Sequence, residues 1–461
     1  MRAALSIALC SFLAACTDHD VTEVAPSGGG ETLDRYHQER DLQLDILFVI
    51  DDSASMEDEQ SSIGARFGEL TRALETLPGG LPSVHIGVVS STVGLLPFTA
   101  QSCPALADDG KFRVGAQVGA SCRLRGRFIQ DEKLPDGTRV KNYDGTLAEV
   151  FACTARLGTA GCQFEQHLEA IKRALSEPAN TGFLRDHATL AVIVLADEDD
   201  CSAAAGNRLF DPSDRTLGAQ DGARCTAQAI VCKEDVGQPG LKTECRSNEG
   251  SPLVQSVQSY VDFLRQRKGD RVITAAIVAE RAPFEIGASG LASNCNLPGR
   301  EARPGVRLAS FVEAFGADGV VTSICADDYT PALRAIGERI TRKLEGQCVR
   351  GRALALAPGD PFATPVLGGD FGVWCTVTDI GPGQPDRVLE ACGGQAVRPC
   401  WRPMIDATEC PSAASPQNLE IAIERDPAQD VHNLVSEVRC LTPPPGQVPP
   451  GQEPDGLPLA P

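Results

Sequence analysis

Three oxygen-bearing side chains follow one apolar segment of this chain at a spacing of two residues. The segment 44–50, LDILFVI, leads directly into Asp51, Ser53 and Ser55. In an extended backbone this spacing puts the three side chains on one side and leaves Asp52 on the other. One carboxylate and two hydroxyls are hard oxygen ligands, which suit Mg²⁺ or Mn²⁺, with Ca²⁺ as an alternative ion. The spacing therefore predicts one half of a divalent-cation site.

A second acidic cluster follows another apolar segment. The run ATLAVIVLA, residues 188–196, ends in DEDD, residues 197–200. If both apolar runs are parallel strands of one sheet, their carboxyl ends meet at the same edge, where ligands bind in such sheets. We therefore predict that Asp197 completes the site that Asp51 begins.

The elements that must position these residues alternate between strand and helix. Further apolar runs, VHIGVVSS (84–91), RVITAAIVAE (271–280) and GVVTSIC (319–325), are separated by segments with helical spacing of apolar residues. Continuous apolar runs are typical of strands buried on both faces, and helical crossovers join parallel strands. The pattern predicts an α/β fold, a doubly wound and mostly parallel sheet with helices on both faces.

The opening motif resembles a known family. LDILFVIDDSASM is similar to the first strand and the metal-ion-dependent adhesion site (MIDAS) of a von Willebrand factor A (vWA) domain, whose motif is D-x-S-x-S after an apolar strand. The resemblance covers residues 44–345. It implies that Asp51, Ser53 and Ser55 hold the ion, that Asp197 contacts it directly or through water, and that the ion binds an acidic residue of a protein partner. The whole chain also resembles Cys-rich, lipid-anchored bacterial A-domain proteins of the deltaproteobacterial and myxobacterial type.

One member of the family motif has no unambiguous match. The resemblance implies a threonine just before a helix, and the corresponding region is LGTAGCQFEQHLEAIKRAL. Thr159 is the threonine there, but counting back six residues from Leu168 reaches Cys162. Two alternatives stay open: a longer loop brings Thr159 to the ion, or Glu165 takes the place of the threonine.

Cysteine usage indicates an oxidising compartment. The chain has 18 cysteines, of which 16 follow residue 100, and it contains no C-x-x-C motif. Up to eight disulfides are therefore predicted, and zinc ribbons are not. Cys153 and Cys162 are close in sequence and are expected to pair. The net charge of −20 argues against nucleic acid as a partner.

The N-terminus indicates export and a membrane anchor. A positive start and a short apolar run end in Leu-Ala-Ala-Cys at Cys16, which resembles a bacterial lipobox. Residues 1–15 are interpreted as a lipoprotein signal peptide, Cys16 as the lipidated residue, and residues 16–40 as a flexible tether. The predicted location is the bacterial cell envelope, on the periplasmic or surface face of the outer membrane.

The remaining chain divides by composition. Residues 41–347 are predicted to form the vWA domain, with Cys-rich insertions at about 92–146 and 198–250. Residues 348–440 are predicted to form a small disulfide-rich β-type domain, because six cysteines fall there and ten fall in the predicted vWA domain, both even numbers. Residues 441–461 contain eight prolines and are predicted to be an extended tail.

Two functions are compatible with these observations. The first is a lipid-anchored binding or adhesion protein that recruits its partner through the cation. The alternative is a metal-independent structural scaffold of the envelope with a degenerate site. No nucleophile-elbow, zincin, phosphate-loop or dinucleotide motif occurs in the sequence, so no enzymatic activity is predicted.

Overall fold

A computed structural model describes the chain from residue 29 to residue 444, with gaps. The described residues are 29–37, 42–77, 80–100, 103, 108–113, 122–134, 136–206, 208–218, 222–269, 271–287, 290–295, 301–345, 347–381, 385–393, 398–407, 410, 415–426 and 434–444. The predictions for the signal peptide, for Cys16 and for most of the C-terminal tail fall outside these residues. Among the described residues, no helix is both long and apolar enough to cross a membrane.

Strands dominate the described part of the chain. They are β1 Gly30–His37, β2 Gln43–Ile50, β3 Ser83–Ser90, β4 Ile129–Lys133, β5 Arg139–Lys141, β6 Thr189–Leu195, β7 Ile230–Val231, β8 Gly240–Lys242, β9 Arg246–Ser247, β10 Val272–Val278, β11 Phe284–Gly287, β12 Gly290–Leu291, β13 Gly319–Ser323, β14 Ala355–Leu356, β15 Thr364–Pro365, β16 Gly372–Val373, β17 Cys375–Ile380, β18 Arg387–Ala391, β19 Cys400–Ile405, β20 Leu419–Glu424 and β21 Val435–Thr442. The helices are α1 Glu57–Arg66, α2 Gly68–Leu74, α3 Leu147–Thr154, α4 His167–Ala174, α5 Gly222–Ala229, α6 Val257–Lys268, α7 Val306–Glu313 and α8 Thr330–Glu345.

The main sheet has seven strands in the order β13-β10-β6-β2-β3-β4-β5. The five strands from β13 to β3 are parallel, which confirms the predicted parallel core. The other two, β4 and β5, pair antiparallel at one edge and make the sheet mixed. The parallel strands follow the doubly wound order, and the order reverses between β2 and β6, which is where such sheets bind ligands.

The side chains of β2 show why its sequence is a continuous apolar run. Ile46 and Phe48 pack into one core with α1, α2, α3 and α8, and Leu47 and Val49 pack into a second core with α4, α6 and α7. All four side chains are fully buried. Helices therefore cover both faces of the sheet, as predicted, and they hold the carboxyl end of β2 in a fixed position.

A second, six-stranded sheet joins strands that are far apart in the sequence. Its order is β1-β21-β17-β18-β19-β20, and β1 pairs antiparallel with β21 along its whole length. The prediction of a flexible tether over residues 16–40 is therefore wrong for residues 30–37. Tyr36 is buried in the core of this sheet, and the buried carboxylate of Asp34 accepts a hydrogen bond from Arg350 Nε at 2.8 Å. These contacts come from distant parts of the chain, so the polar local sequence does not reveal them.

Eight disulfides are present among the described residues, in agreement with the prediction of up to eight. They join Cys103–Cys162, Cys122–Cys153, Cys201–Cys225, Cys232–Cys245, Cys295–Cys325, Cys348–Cys410, Cys375–Cys440 and Cys392–Cys400. The expected Cys153–Cys162 pair is wrong. Cys153 lies at the end of α3, whereas Cys162 is buried in a separate apolar cluster with Cys103. Proximity along the chain does not bring the two sulfurs together, because the loop between them carries Cys162 away from the helix.

Candidate metal centre

Asp51 and Asp197 leave the sheet side by side at its carboxyl edge. The strands β2 and β6 are neighbours, with Ile50 opposite Leu195, and Asp51 N donates to Leu195 O at 3.0 Å. Asp51 is fully buried and Asp197 is only 5% exposed. The structure therefore brings the two predicted carboxylates together at the point where the strand order reverses.

The two serines reach this point through a tight turn. Residues 53–56 form a turn and are not extended, in contrast to the expectation for the motif. Asp51 Oδ1 accepts a hydrogen bond from Ser53 N at 2.7 Å, and Ser53 Oγ lies 3.3 Å from Ser55 Oγ. Ser53 is buried and Ser55 is exposed. The hydroxyls still converge, because the turn closes back on the aspartate.

The carboxylates of the site repel one another. Burial raises the pKa of Asp51 well above its usual value, and the neighbouring charge of Asp197 raises it further. Burial also raises the pKa of Asp197, although the neighbouring Ser55 hydroxyl partly opposes this shift. The local charge favours a proton or a cation between the two groups.

Glu165 adds a third carboxylate to this region. It is 2% exposed, and burial, followed by the charges of Asp51 and Glu198, raises its pKa well above the usual range. Its backbone carbonyl accepts from Cys201 N at 2.7 Å, which holds it beside the acidic segment after β6. Of the two residues left open by the sequence, Glu165 is close enough to the site for the charge of Asp51 to act on its carboxylate.

Thr159 lies in a loop that touches the site, but its own side chain is exposed. Gln60 Nε2 donates to Asp51 O and to Gly158 O at 2.9 Å each, and Gly161 N donates to Asp52 O at 2.7 Å. Within the described residues, no hydrogen bond joins Thr159 to the site. The loop therefore supports the backbone of the motif, and the role of Thr159 as a metal ligand stays a prediction.

Three further residues near the site were not predicted to take part in it. Asp52 Oδ1 accepts from Thr92 Oγ1 at 2.8 Å, and the same oxygen of Thr92 accepts from Cys162 N at 2.9 Å. His167, the first residue of α4, is fully buried, and its Nε2 lies 3.9 Å from Asp51 Oδ2. Burial lowers the pKa of His167 to about 4, so a neutral imidazole stands beside the aspartate at neutral pH. No local sequence pattern marks these contacts.

The residues present fit a hard divalent cation. Asp51 Oδ2, Asp197 Oδ1 and Glu165 Oε1 are buried and have no hydrogen-bond partner within the described structure. A buried carboxylate oxygen without a partner is costly, and a cation would satisfy it. Mg²⁺ and Mn²⁺ prefer such oxygens, so Asp51, Ser53, Ser55 and Asp197 are the residues that would hold the ion.

The other acidic residues after β6 have different partners. Asp199 accepts from Arg307 N and Leu308 N at the start of α7, and Asp200 accepts from Arg307 Nε and Nη2 at 3.1 Å each. Elsewhere in the described residues, Cys392, Cys400 and Glu424 lie close together. They are not a metal site, because the two sulfurs are bonded to each other.

Comparisons with known proteins give partial structural likenesses. No protein-family model matches the chain, and no curated protein matches its sequence. Among solved structures, the pilus adhesin SpaC of Lactobacillus rhamnosus GG is 10% identical, with a TM-score of 0.34 over 90% of this chain and 41% of that one. A von Willebrand factor type A protein from Catenulispora acidiphila is 12% identical, with a TM-score of 0.28 over 90% and 66% of the two chains.

A third likeness is confined to a smaller part of this chain. BatB from Bacteroides thetaiotaomicron is 11% identical, with a TM-score of 0.26 over 66% of this chain and 98% of that one. The SpaC chain is much longer than this one, which spans about two fifths of its length. With TM-scores below 0.5, the likenesses are partial, and the fold assignment rests on the strand order described above.

Proposed function

We propose that this protein is a binding or adhesion protein of the bacterial cell envelope. In this proposal, the edge of its main sheet holds Mg²⁺ or Mn²⁺, and the ion binds an acidic residue of a protein partner. The role is one of binding and not of catalysis. The observation that carries the proposal is the group of three buried carboxylate oxygens without hydrogen-bond partners on Asp51, Asp197 and Glu165.

Hydrogen bonds within the protein fix the positions of the residues that would form this site. Gln60 and the loop at Gly158 hold the backbone of Asp51 by hydrogen bonds, and β6 places Asp197 beside it. Ser55 is exposed, so one side of the site is open to solvent. When bound, the cation would supply a positive charge that accepts a partner's carboxylate, since Mg²⁺ seldom fills all its positions with protein ligands.

Attachment to the membrane is the second part of the proposal. Cys16 would carry the lipid that anchors the chain to the outer membrane, on its periplasmic or surface face. The eight disulfides support an oxidising compartment, because such bonds persist outside the cytosol. Labelling of growing cells with a radioactive fatty acid should mark the wild-type protein and leave a Cys16→Ala variant unmarked.

Titration of Mn²⁺ into the purified full-length protein tests the site. Wild type should bind one ion, and Asp51→Ala should lose binding by at least about tenfold, since a central oxygen ligand is removed. Asp136→Ala, in the exposed turn between β4 and β5, is the matched control and should bind as wild type does. Equal affinity of Asp51→Ala and wild type would show that the ion binds elsewhere.

A metal-independent scaffold is the second candidate, because the side chain of Thr159 is exposed and makes no hydrogen bond to the site within the described residues. Capture of partners from envelope extracts in Mn²⁺ and in EDTA separates the two functions. The proposed function requires a partner that is retained in Mn²⁺ and released in EDTA. Retention in both conditions, together with an unchanged melting temperature, supports the scaffold.

A further inference from the structure

A buried histidine stands beside the candidate metal centre without a hydrogen-bond partner. His167 is fully buried, and neither of its ring nitrogens has a partner within the described structure. A buried polar group in this state is costly, because it has given up its hydrogen bonds to water and has gained none in return. A ligand that binds one of the two nitrogens would remove this cost.

The start of α4 holds the ring in place. Gln166 N, just before His167, donates to Ser91 O at 3.0 Å, and Leu168 N, just after it, donates to Asp200 Oδ1 at 2.9 Å. The backbone on both sides of the histidine is therefore fixed to other parts of the chain. A helix N-terminus disfavours a positive charge, so this position suits the neutral imidazole, which is the form that binds a metal ion.

Asp51 offers the ring a carboxylate oxygen that is also without a partner. Its Oδ1 accepts from Ser53 N, whereas its Oδ2 accepts no hydrogen bond in the described structure and lies 3.9 Å from His167 Nε2. This separation is too long for a hydrogen bond. Metal ions bind carboxylate oxygen and imidazole nitrogen at about 2.0–2.1 Å, so one ion can contact both atoms.

The other acidic group whose charge acts on the ring is already paired. The charge of Asp200 reaches His167, but Asp200 Oδ1 accepts from Leu168 N at 2.9 Å, and Oδ2 accepts from Arg307 Nε and Nη2 at 3.1 Å each. Both oxygens of Asp200 are therefore occupied. The unpartnered Oδ2 of Asp51 remains as the atom with which the imidazole can share a ligand.

We propose that His167 Nε2 is a ligand of the ion at this centre, beside Asp51 Oδ2, and that it makes the centre prefer a first-row transition-metal ion to Mg²⁺. Imidazole nitrogen is a softer donor than carboxylate or hydroxyl oxygen, and it suits transition-metal ions, whereas Mg²⁺ takes oxygen ligands. Of the two ions in the proposed function, Mn²⁺ is then the one that the centre selects. The inference rests on the proposed function only in requiring that a cation binds at Asp51.

Pulsed electron paramagnetic resonance of the Mn²⁺-loaded full-length protein tests the ligand directly. Electron spin-echo envelope modulation detects nitrogen bonded to Mn²⁺, and isotopic labelling of histidine nitrogen identifies its source. Wild type should show a nitrogen coupling that changes on labelling, and His167→Gln should lose it. His187→Gln is the matched control and should keep the coupling, because His187 precedes β6 and Asp197 follows it, at the opposite edge of the sheet.

Calorimetric titration with Mn²⁺ and, separately, with Mg²⁺ tests the preference. The quantity to compare is the ratio of the two affinities, since a general disturbance of the site lowers both. The ratio should fall by about tenfold in His167→Gln, because the nitrogen ligand favours Mn²⁺ alone. It should be unchanged in His187→Gln. An equal ratio in wild type and His167→Gln would contradict the preference.

The outcomes separate this inference from the proposed function. Mn²⁺ that binds wild type and not Asp51→Ala, but shows no coupling that changes on histidine labelling, overturns the inference alone, and the wild-type protein suffices for this result. A coupling that persists in His167→Gln assigns the nitrogen to another histidine and also overturns it. Equal Mn²⁺ binding by wild type and Asp51→Ala contradicts both. A partner retained equally in Mn²⁺ and in EDTA contradicts the proposed function alone.

Discussion

Gly161 shows how closely single residues are fitted at the metal centre. A Cβ at this position would lie 2.3 Å from Asp52 Oδ1 and 2.5 Å from Asp52 O. Both distances are far below normal contact, and one of the two atoms belongs to the backbone. Only glycine lets the loop approach the motif, and the same loop holds Asp51 through Gln60.

Gly161→Ala should therefore displace the loop and weaken the site. We expect a loss of about 2 kcal/mol in the free energy of unfolding, typical of overpacking a buried contact, together with weaker Mn²⁺ binding. Gly68→Ala is the control, because a Cβ there meets nothing within 4 Å and Gly68 begins α2. It should leave Mn²⁺ binding unchanged and not lower stability. Chemical denaturation measures the free energy of unfolding, and calorimetry measures Mn²⁺ binding. Equal stability of the two variants would contradict the predicted clash between a Cβ at position 161 and Asp52.

At the scale of elements, α6 carries a buried charge against the amino-terminal side of the sheet. Lys268, its last residue, is 3% exposed, and its Nζ donates to Arg185 O at 2.6 Å and Asp186 O at 3.2 Å. Burial lowers the pKa of Lys268 to about 8 in the folded protein. In the unfolded chain the pKa of a lysine is about 10.4.

The sign of the resulting pH dependence follows from these two values. Between about pH 8 and pH 10.4 the unfolded chain binds a proton that the folded chain does not, so the free energy of unfolding rises with pH. Lys268→Met should remove about 2 kcal/mol of this rise. Lys172→Met, on the exposed side of the adjacent α4, should keep the wild-type slope. Denaturant unfolding at pH 7.5 and pH 10 gives the change in the free energy of unfolding with pH. An identical change in wild type and Lys268→Met would exclude Lys268 as its source.

At the scale of the whole molecule, the N-terminal strand completes a sheet made from the other end of the chain. β1 supplies two large apolar residues with opposite surroundings. Tyr36 is 2% exposed in the core of that sheet, whereas Leu33 is 46% exposed. Because β1 directly precedes the segment that leads into β2, it also ties the start of the main sheet to the second sheet.

Tyr36→Ala should therefore lower the free energy of unfolding by about 3–5 kcal/mol, the usual cost of truncating a buried aromatic side chain. Leu33→Ala should change it by less than about 1 kcal/mol. Both variants should bind Mn²⁺ as wild type does, because the site belongs to the main sheet. If residues 30–37 were a tether, both substitutions would be neutral in thermal unfolding.

The sequence by itself determined those features that local pattern encodes. The runs before Asp51 and Asp197 are mostly apolar because strands covered on both faces bury nearly all of their side chains. They therefore predicted a parallel core and the edge at which both aspartates lie. The spacing of Asp51, Ser53 and Ser55 predicted a cluster of hard oxygens, and the structure forms that cluster in a turn. Their role as metal ligands stays a prediction.

Only the tertiary structure decided what depends on contacts between distant residues. It separated Cys153 from Cys162, left the side chain of Thr159 exposed, placed Glu165 beside the two aspartates, and paired β1 with β21. Strand pairing uses backbone groups that every residue carries, and disulfide partners depend on where the loops close in space. Neither leaves a signal in the neighbouring sequence, so the surroundings of the candidate site and the pairing of β1 with β21 were fixed by packing.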